Sequence, residues 1–401
     1  MIRYLLRRLA SGLLTLFLFV TVLFFLVDAV LPGDFVTSLG PMTADQAADV
    51  RDELGIDRPL YLQYLDWLGS VATLDLGTSF EGPGVWDSIS AALPSTLLVL
   101  AVGLSLAFVL GGWLGRASAY QRSSLVSGPL TFVAILFLTA FPPALAFTLE
   151  HFLQSSFPFE MGSFGAIDEQ LWFSSDLTPA GVMWRMLAVL AGVFAVLWGI
   201  EQLVRRTLRR DIPRLLFLAL MVATPLLLWR WMGLGERVGD LAATMTLLLV
   251  GVVLLTFGDV LLVTRAAMDD ALLEDYVMVA RAKGMPERQV RDRHAARTSV
   301  LPVLSRFTVS IPYFMTGLVI LEAAFGGVGA DSGIVSVTQQ FFGPPGMGVV
   351  IFDAVRTQDT PMIVGSLLVV GVLTVLVRTS LDVAHAALDP RIRLHGEDDG
   401  R

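Results

Sequence analysis

Cysteine is absent from the 401 residues of this chain. Disulfide bonds, cysteine-ligated zinc and thiol catalysis are therefore excluded together. The four histidines are too scattered along the sequence to predict a metal site; they are His151, His294, His385 and His395. The spans predicted below show no cluster of His, Asp or Glu of the kind that a membrane enzyme needs, so we expect no catalytic site.

Charged residues are also scarce. They make up 16% of the chain, against about 25% in a typical soluble domain. Hydrophobic residues make up 55%, and the mean hydropathy is +0.70. This composition indicates that lipid is the solvent for much of the chain.

Lysine occurs once, as Lys283 in the stretch Ala-Arg-Ala-Lys-Gly-Met. A phosphate-binding P-loop needs the pattern G-x-x-x-x-G-K-[ST], in which the lysine reaches the phosphates. Lys283 has neither the upstream glycines nor a following Ser or Thr. The chain therefore carries no P-loop, and any ATP that drives its function is expected to be hydrolysed on another chain.

Apolar runs long enough to cross a bilayer are the main positive signal. A helix of about 20 apolar residues spans the hydrocarbon layer, and the sequence predicts an all-α polytopic fold with about eight such helices. They lie near 9–31, 95–114, 125–149, 186–204, 215–232, 241–263, 301–325 and 362–384. A cleaved signal peptide is the alternative for the first, but its long apolar run and the lack of an A-x-A-like site favour an uncleaved helix.

Lys and Arg residues are distributed unevenly between the two ends of these helices. Eight spans place both termini on one side, and that side holds 22 of the 28 Lys and Arg residues. Cytoplasmic loops are enriched in these residues. We therefore expect a multi-pass protein of a prokaryotic cytoplasmic (inner) membrane, with N- and C-termini in the cytoplasm. A re-entrant hairpin at 186–232 remains an alternative to two spans, because both return the chain to the same side.

These spans divide the chain into five segments. They are an N-terminal transmembrane helix (1–31), an acidic, scoop-like extracytoplasmic segment (32–93), helices two and three with an outer loop (94–185), an extra transmembrane hairpin (186–232), and the remaining helices with a cytoplasmic loop at 268–300 (233–401).

The cytoplasmic loop 268–300 has the pattern of a helix, a turn and a second helix. The helix dipole favours acidic residues at a start and basic residues at an end, and the first helix has both, at Asp269, Asp270, Arg281 and Lys283. Gly284 suits the left-handed position after a helix end, Pro286 suits the first turn of the next helix, and Glu287 and Arg291 have ion-pair spacing. Such a loop either lies on the lipid surface or docks in a groove of a partner and transmits its motion.

The same loop resembles the coupling loop of ABC importer permeases. The resemblance rests on Asp275-Tyr276-Val277-Met278-Val279-Ala280-Arg281-Ala282-Lys283-Gly284, followed by His294-Ala295-Ala296-Arg297 and Pro302. The form is that of the dipeptide/oligopeptide (peptide/nickel-type) permease family, and of the first permease of such systems. Five further stretches resemble the same family and occur in the same order along the chain. They lie at 1–34, 54–64, 75–79, 93–96 and 388–393.

This resemblance implies an ATP-driven importer in which the chain forms the translocation path for peptides or similar solutes. The implied partners are a second, related permease in a heterodimer, two cytoplasmic ATPase subunits that bind ATP and Mg, an extracytoplasmic substrate-binding protein and the lipid bilayer, with no nucleic acid. No cofactor is expected on this chain. The residues implied to couple to the ATPase are Asp275, Tyr276, Ala280, Arg281, Ala282, Lys283 and Gly284.

Two departures from the family pattern leave the cargo open. The family has six helices, and this chain has an extra pair at 186–232; its Gly-rich outer loop, 326–348, is also long. The same family includes oligosaccharide and nickel importers. A secondary transporter without an ATPase is a further alternative, but it predicts inverted repeats, and none is evident.

Four of the charged residues within or near the predicted spans are candidates for a specific role. An ionised group at the bilayer centre costs about 2.5–3.5 kcal/mol on insertion scales, so each needs a reason. Arg378 and Asp382 stand four apart near the inner end of the last span and are predicted to form a structural pair. Asp259 and Glu322 are candidates for the translocation path, with a structural pair or snorkelling as the alternative.

We expect Asp259→Ala to leave the assembled transporter intact and to slow transport, because the path loses a polar group. Transport into membrane vesicles, measured beside the yield of the purified assembly, tests this expectation. Wild-type transport rates in the variant would remove Asp259 from the path.

Overall fold

The computed structural model describes residues 2–30, 35–38, 42–80, 84–120, 124–156, 169–173, 177–208, 213–327 and 346–388. Within these ranges the regular structure is α-helical, apart from a π-helical stretch at Val290–Ala295 and an isolated antiparallel bridge between Thr78 and Gly84. The predicted all-α class is confirmed. Residues 328–345 of the predicted Gly-rich outer loop (326–348), and residues 389–401, lie outside the described residues.

The described residues form sixteen α-helices and one π-helical stretch. In chain order they are α1 (Ile2–Val30), α2 (Phe35–Ser38), α3 (Ala44–Leu54), α4 (Leu60–Ala72), α5 (Val85–Tyr120), α6 (Ser124–Leu138), α7 (Pro142–Ser156), α8 (Glu169–Phe173), α9 (Pro179–Leu208), α10 (Arg214–Trp231), α11 (Gly235–Leu273), α12 (Asp275–Ala282), α13 (Glu287–Gln289), a π-helical stretch (Val290–Ala295), α14 (Ala296–Gly327), α15 (Met347–Arg356) and α16 (Thr360–Leu388).

Each of the eight predicted spans corresponds to helical structure, but not all are complete spans. In the described part of the chain, α1, α5, α9, α11, α14 and α16 are long and apolar enough to cross a membrane. The third predicted span is α6 and α7 together, with a bend of 112° between Ser127–Leu138 and Pro142–Phe152. The fifth is α10, whose apolar part is only Leu216–Trp231. The bend follows from Pro142, which lacks a backbone N–H and starts a new helix.

Helix α11 lies at the centre of the bundle, where small residues let α5 approach it closely. A methyl group at Gly115 of α5 would lie 2.7 Å from the carbonyl oxygen of Leu261, and one at Gly111 would lie 2.7 Å from that of Phe257. Lipid is as apolar as a leucine side chain, so close backbone packing of this kind is the main source of helix association in a bilayer.

The first and last long helices also pack against each other through glycine. Gly12 of α1 faces Val375 of α16, and Gly371 of α16 faces Leu16 of α1. Beside them, Val20 and Phe24 of α1 form an apolar cluster with Val364 of α16. The N-terminal helix therefore belongs to the bundle.

The end of the 32–93 segment is fixed to the start of α16 by one buried carboxyl group. Asp359 is 2% exposed. Its Oδ1 accepts a hydrogen bond from the backbone N–H of Met362 at 3.1 Å, so it caps α16. Its Oδ2 accepts from the hydroxyl of Ser79 and from the N–H of Phe80.

Two neighbouring glycines in α5 test the close packing against α11. Gly115→Ala should lower the free energy of unfolding by about 1–3 kcal/mol, because the added methyl group overpacks the contact. Gly112→Ala is the matched control, since no atom lies within 4 Å of its added methyl group; it should be neutral or stabilise by up to about 1 kcal/mol. Thermal unfolding midpoints in detergent give the comparison, and equal midpoints for the two variants would contradict the packing.

Candidate coupling surface and buried charges

Helix α12 carries the predicted coupling motif, and we refer to it as the coupling helix. It begins later than the charge pattern predicts. Asp269 and Asp270 were expected at its N-terminus, but they lie in the last turns of α11, which continues to Leu273. Glu274 then has an extended backbone (φ −69°, ψ 147°), and α12 starts at Asp275. An acidic residue does lie in the first turn of this helix, as the helix dipole favours, but it is Asp275.

A left-handed turn at Gly284 ends α12. Its φ is +75°, a conformation that glycine adopts without strain. The N–H of Met285 donates to the carbonyl of Ala280 at 3.3 Å, and the N–H of Gly284 donates to that of Arg281 at 2.9 Å. These two bonds form a Schellman motif. The left-handed backbone and these two hydrogen bonds agree with the prediction that Gly284 makes the turn.

An ion pair closes the same turn from outside. Arg281 Nε lies 2.7 Å from Glu287 Oε1, and the second nitrogen contact, Nη2 to Oε2, is 3.4 Å. This hydrogen bond raises the pKa of Arg281 further above its ordinary value. The predicted pair of Glu287 with Arg291 is wrong. Arg291 instead contacts its neighbour Asp292, with Nε 2.5 Å from Oδ1, and this hydrogen bond lowers the pKa of Asp292.

The inner face of α12 packs against the chain itself. Val277 and Ala280 form an apolar cluster with Val290, joined by Met285 and Leu272. Ala280 is only 4% exposed, so the structure does not place its side chain on an outer surface. A small residue is needed there because α12 lies close to the helix that returns toward the membrane.

Tyr276 ties the coupling helix to that returning helix. Its hydroxyl donates to Thr298 Oγ1 at 3.2 Å. Since α13, the π-helical stretch and α14 follow one another without a break, the turn at Gly284 leads directly into the membrane-crossing part of α14.

The outer face of α12 exposes apolar residues. Met278 is 67% exposed and Val279 52%, and Ala282 and Lys283 are exposed beside them. We call Met278, Val279, Ala282 and Lys283 the coupling surface. The motif resemblance named Ala282 and Lys283 but missed Met278 and Val279. Helical spacing identifies both, because residues three and four apart share a face with Asp275.

Asp259 joins the two central helices. It is 6% exposed, and its Oδ2 accepts a hydrogen bond from Ser310 of α14 at 2.7 Å. Its Oδ1 lies 3.6 Å from Nε of Arg306, also in α14. The structure therefore gives Asp259 a cationic partner that the sequence did not single out. The assignment of Asp259 to the path remains a prediction.

Glu322 joins three helices near the other end of α14. The hydroxyl of Thr96 in α5 lies 2.8 and 3.0 Å from its two carboxyl oxygens. The N–H of Gly348 donates to Oε2 at 2.9 Å, and that of Met347 donates to Thr96 Oγ1 at 2.9 Å. A carboxyl group at the N-terminus of α15 is favourable. With 3% of its surface exposed, Glu322 is placed to hold α15 and not to meet a solute; its assignment to the path remains a prediction.

Arg378 and Asp382 both lie in α16, with Arg378 exposed and Asp382 half-buried. The ion pairs found among the described side chains do not join these two residues. Their structural pairing therefore remains a prediction.

Comparison with known proteins covers nearly the whole chain. The family model described as binding-protein-dependent transport system inner membrane component matches residues 88–394. A model for the N-terminal part of such components matches residues 1–100.

Curated relatives agree with these matches. The chain is 28% identical over 400 residues to a putative peptide permease protein of Brucella suis, covering 98% of this chain and 100% of the relative. It is 26% identical to the dipeptide transport system permease protein of Lactococcus lactis, covering 98% and 100%. It is 27% identical to the oligopeptide transport system permease protein of Bacillus subtilis, covering 98% and 99%.

The resemblance found in the coupling loop is thereby confirmed over most of the sequence. The chain belongs to the family of binding-protein-dependent transport system inner membrane components.

Proposed function

We propose that this chain couples ATP hydrolysis on partner subunits to the import of short peptides. The observation that supports the coupling is the exposed, apolar coupling surface on a short helix that both long central helices flank. An exposed apolar face on a polar loop marks a contact site for a partner. A groove on a cytoplasmic ATPase subunit fits it, because an amphipathic helix docks its apolar face in such a groove.

The remaining partners follow from the same family. A second, related permease completes the path, two ATPase subunits bind ATP and Mg, and an extracytoplasmic binding protein delivers the solute. The excess of Lys and Arg beside α12 supports a cytoplasmic position for the coupling surface and for both termini.

Peptide cargo is supported by the relatives. Those named above are permeases for peptides, dipeptides or oligopeptides, and the similarity to each extends over at least 98% of this chain. Oligosaccharide and nickel uptake remain the alternatives within the same architecture.

Substitution of Val279 tests the coupling surface. Val279→Asp should reduce co-purifying ATPase subunits at least tenfold, because a charge replaces an apolar contact. Val279→Leu is the matched control and should retain them, since the exposed side chain has room to grow and stays apolar. Pull-down from detergent-solubilised membranes measures the ratio, and full retention in Val279→Asp would contradict docking through this face.

The turn at Gly284 gives an independent test. Gly284→Val should uncouple ATP hydrolysis from transport, because a β-branched residue is strained at φ +75°. Gly284→Asn should keep most of the coupling, because asparagine tolerates the left-handed region. The solute transported per ATP hydrolysed in reconstituted vesicles is the measurement; equal ratios in both variants would show that the turn geometry is irrelevant.

Uptake assays test the cargo. Cells that depend on this transporter should take up labelled dipeptides and tripeptides, and deletion of the chain should abolish that uptake. Uptake of maltooligosaccharides or of nickel ions by the same cells, lost on deletion while peptide uptake persists, would replace the peptide assignment.

A further inference from the structure

The exposed face of α14 is unlike the exposed faces of the outer helices. Most of its exposed residues are polar or helix-interrupting: Thr298, Pro302, Ser305, Arg306, Pro312, Tyr313 and Thr316, with Val300 and Val309 between them. Away from their ends, the exposed positions of α9 and α10 are instead apolar, as at Phe194, Leu203 and Leu227. Lipid accommodates the second kind of face and disfavours the first.

The break between α6 and α7 lies against this polar face. The hydroxyl of Tyr313 donates to the carbonyl oxygen of Leu138, the last residue of α6, at 3.1 Å. Thr139 and Phe141, in the break itself, are exposed. Irregular backbone at membrane depth is tolerated only where it is buried in protein or lines a water-filled cavity. The exposure of this break favours water.

Arg306 brings a positive charge to the same face. Its side chain is 56% exposed, although Nε is within 3.6 Å of the buried carboxyl group of Asp259. That carboxyl group is itself fixed by Ser310. Among the described residues, Arg306 has no further ion pair or hydrogen bond, so the outer edge of its guanidinium remains available. A guanidinium edge with two parallel N–H groups matches a carboxylate.

We propose that the exposed face of α14 and the α6–α7 break form this chain's wall of the translocation path, and that Arg306 binds the carboxylate of a passing peptide there. Asp259 is its positioning residue, since it holds the guanidinium from behind. This inference rests on the proposed peptide transport. Arg306 lies seven residues from Tyr313, about 10 Å along the helix, so the polar face spans a length comparable to a short peptide.

Thiol labelling tests the wall, and the absence of native cysteine makes single-cysteine variants unambiguous. In membranes that contain the whole transporter, Val309→Cys and Thr316→Cys should react with a membrane-impermeant methanethiosulfonate cation at least tenfold faster than Phe194→Cys and Leu227→Cys. These controls are exposed positions of α9 and α10. Equally slow reaction of all four cysteine variants would mean that the α14 face contacts lipid or packs without water against the second permease. That result would contradict the proposal that this face lines the translocation path.

Transport of two matched peptides tests the carboxylate site. The measured quantity is the ratio of uptake of a tripeptide with a free C-terminus to that of its C-terminal amide. Arg306→Gln should lower this ratio at least tenfold, whereas Arg306→Lys should lower it less. Selection by the binding protein cancels, because the same binding protein serves every variant.

Asp259→Asn tests whether Asp259 positions the guanidinium of Arg306. It should raise the KM for the free peptide while leaving that for the amide unchanged, because the guanidinium loses its support. An unchanged uptake ratio in Arg306→Gln would show that Arg306 only snorkels to the membrane surface, and would overturn the site. Failure of the proposed function has a separate signature, since the wild-type transporter would then take up neither peptide.

Discussion

The contact between α11 and α14 is the constraint on which the other features depend. In lipid, a buried carboxyl group needs a partner inside the protein, and Asp259 of α11 finds both of its partners, Ser310 and Arg306, on α14. The contact continues toward the outer end, where the small Gly251 of α11 lies against Leu321 of α14. At their opposite ends the same two helices flank α12. A displacement of α12 therefore reaches both helices at once.

The two ends of α14 are held in different ways. At the cytoplasmic end, the left-handed turn at Gly284 and the ion pair of Arg281 with Glu287 fix the angle between α12 and the helix that follows. At the outer end, Glu322 connects α14 to α5 and to the start of α15. The polar face with Arg306 and Tyr313 lies between these anchors. A displacement of α12 would therefore be transmitted to this polar face through one continuous helical segment.

Much of this fold could be predicted from the sequence, because lipid leaves few alternatives for an apolar run of 20 residues. The apolar runs located all eight helical segments, and Gly284 and Pro286 located the coupling turn. The coupling motif located the contact helix but not which of its faces is outward. The motif resemblance implied that Ala280 contacts the ATPase, but its side chain is buried. The sequence did not show this, because Ala280 packs against Val290, which lies ten positions further along the chain. The pairing of Asp259 with Arg306 was likewise invisible, since no local pattern relates residues 47 positions apart on different helices.

The packing of α1 against α16 has a consequence for biosynthesis. Gly12 leaves the ribosome well before its contact, Val375, which follows 363 residues later. At about 5–20 residues per second, α1 waits roughly 20–70 seconds in the bilayer before its partner exists. Ser79 and Phe80 wait in the same way for Asp359. Lipid therefore lies against the glycine face of α1 until α16 is made, and the contact between these two helices closes only then.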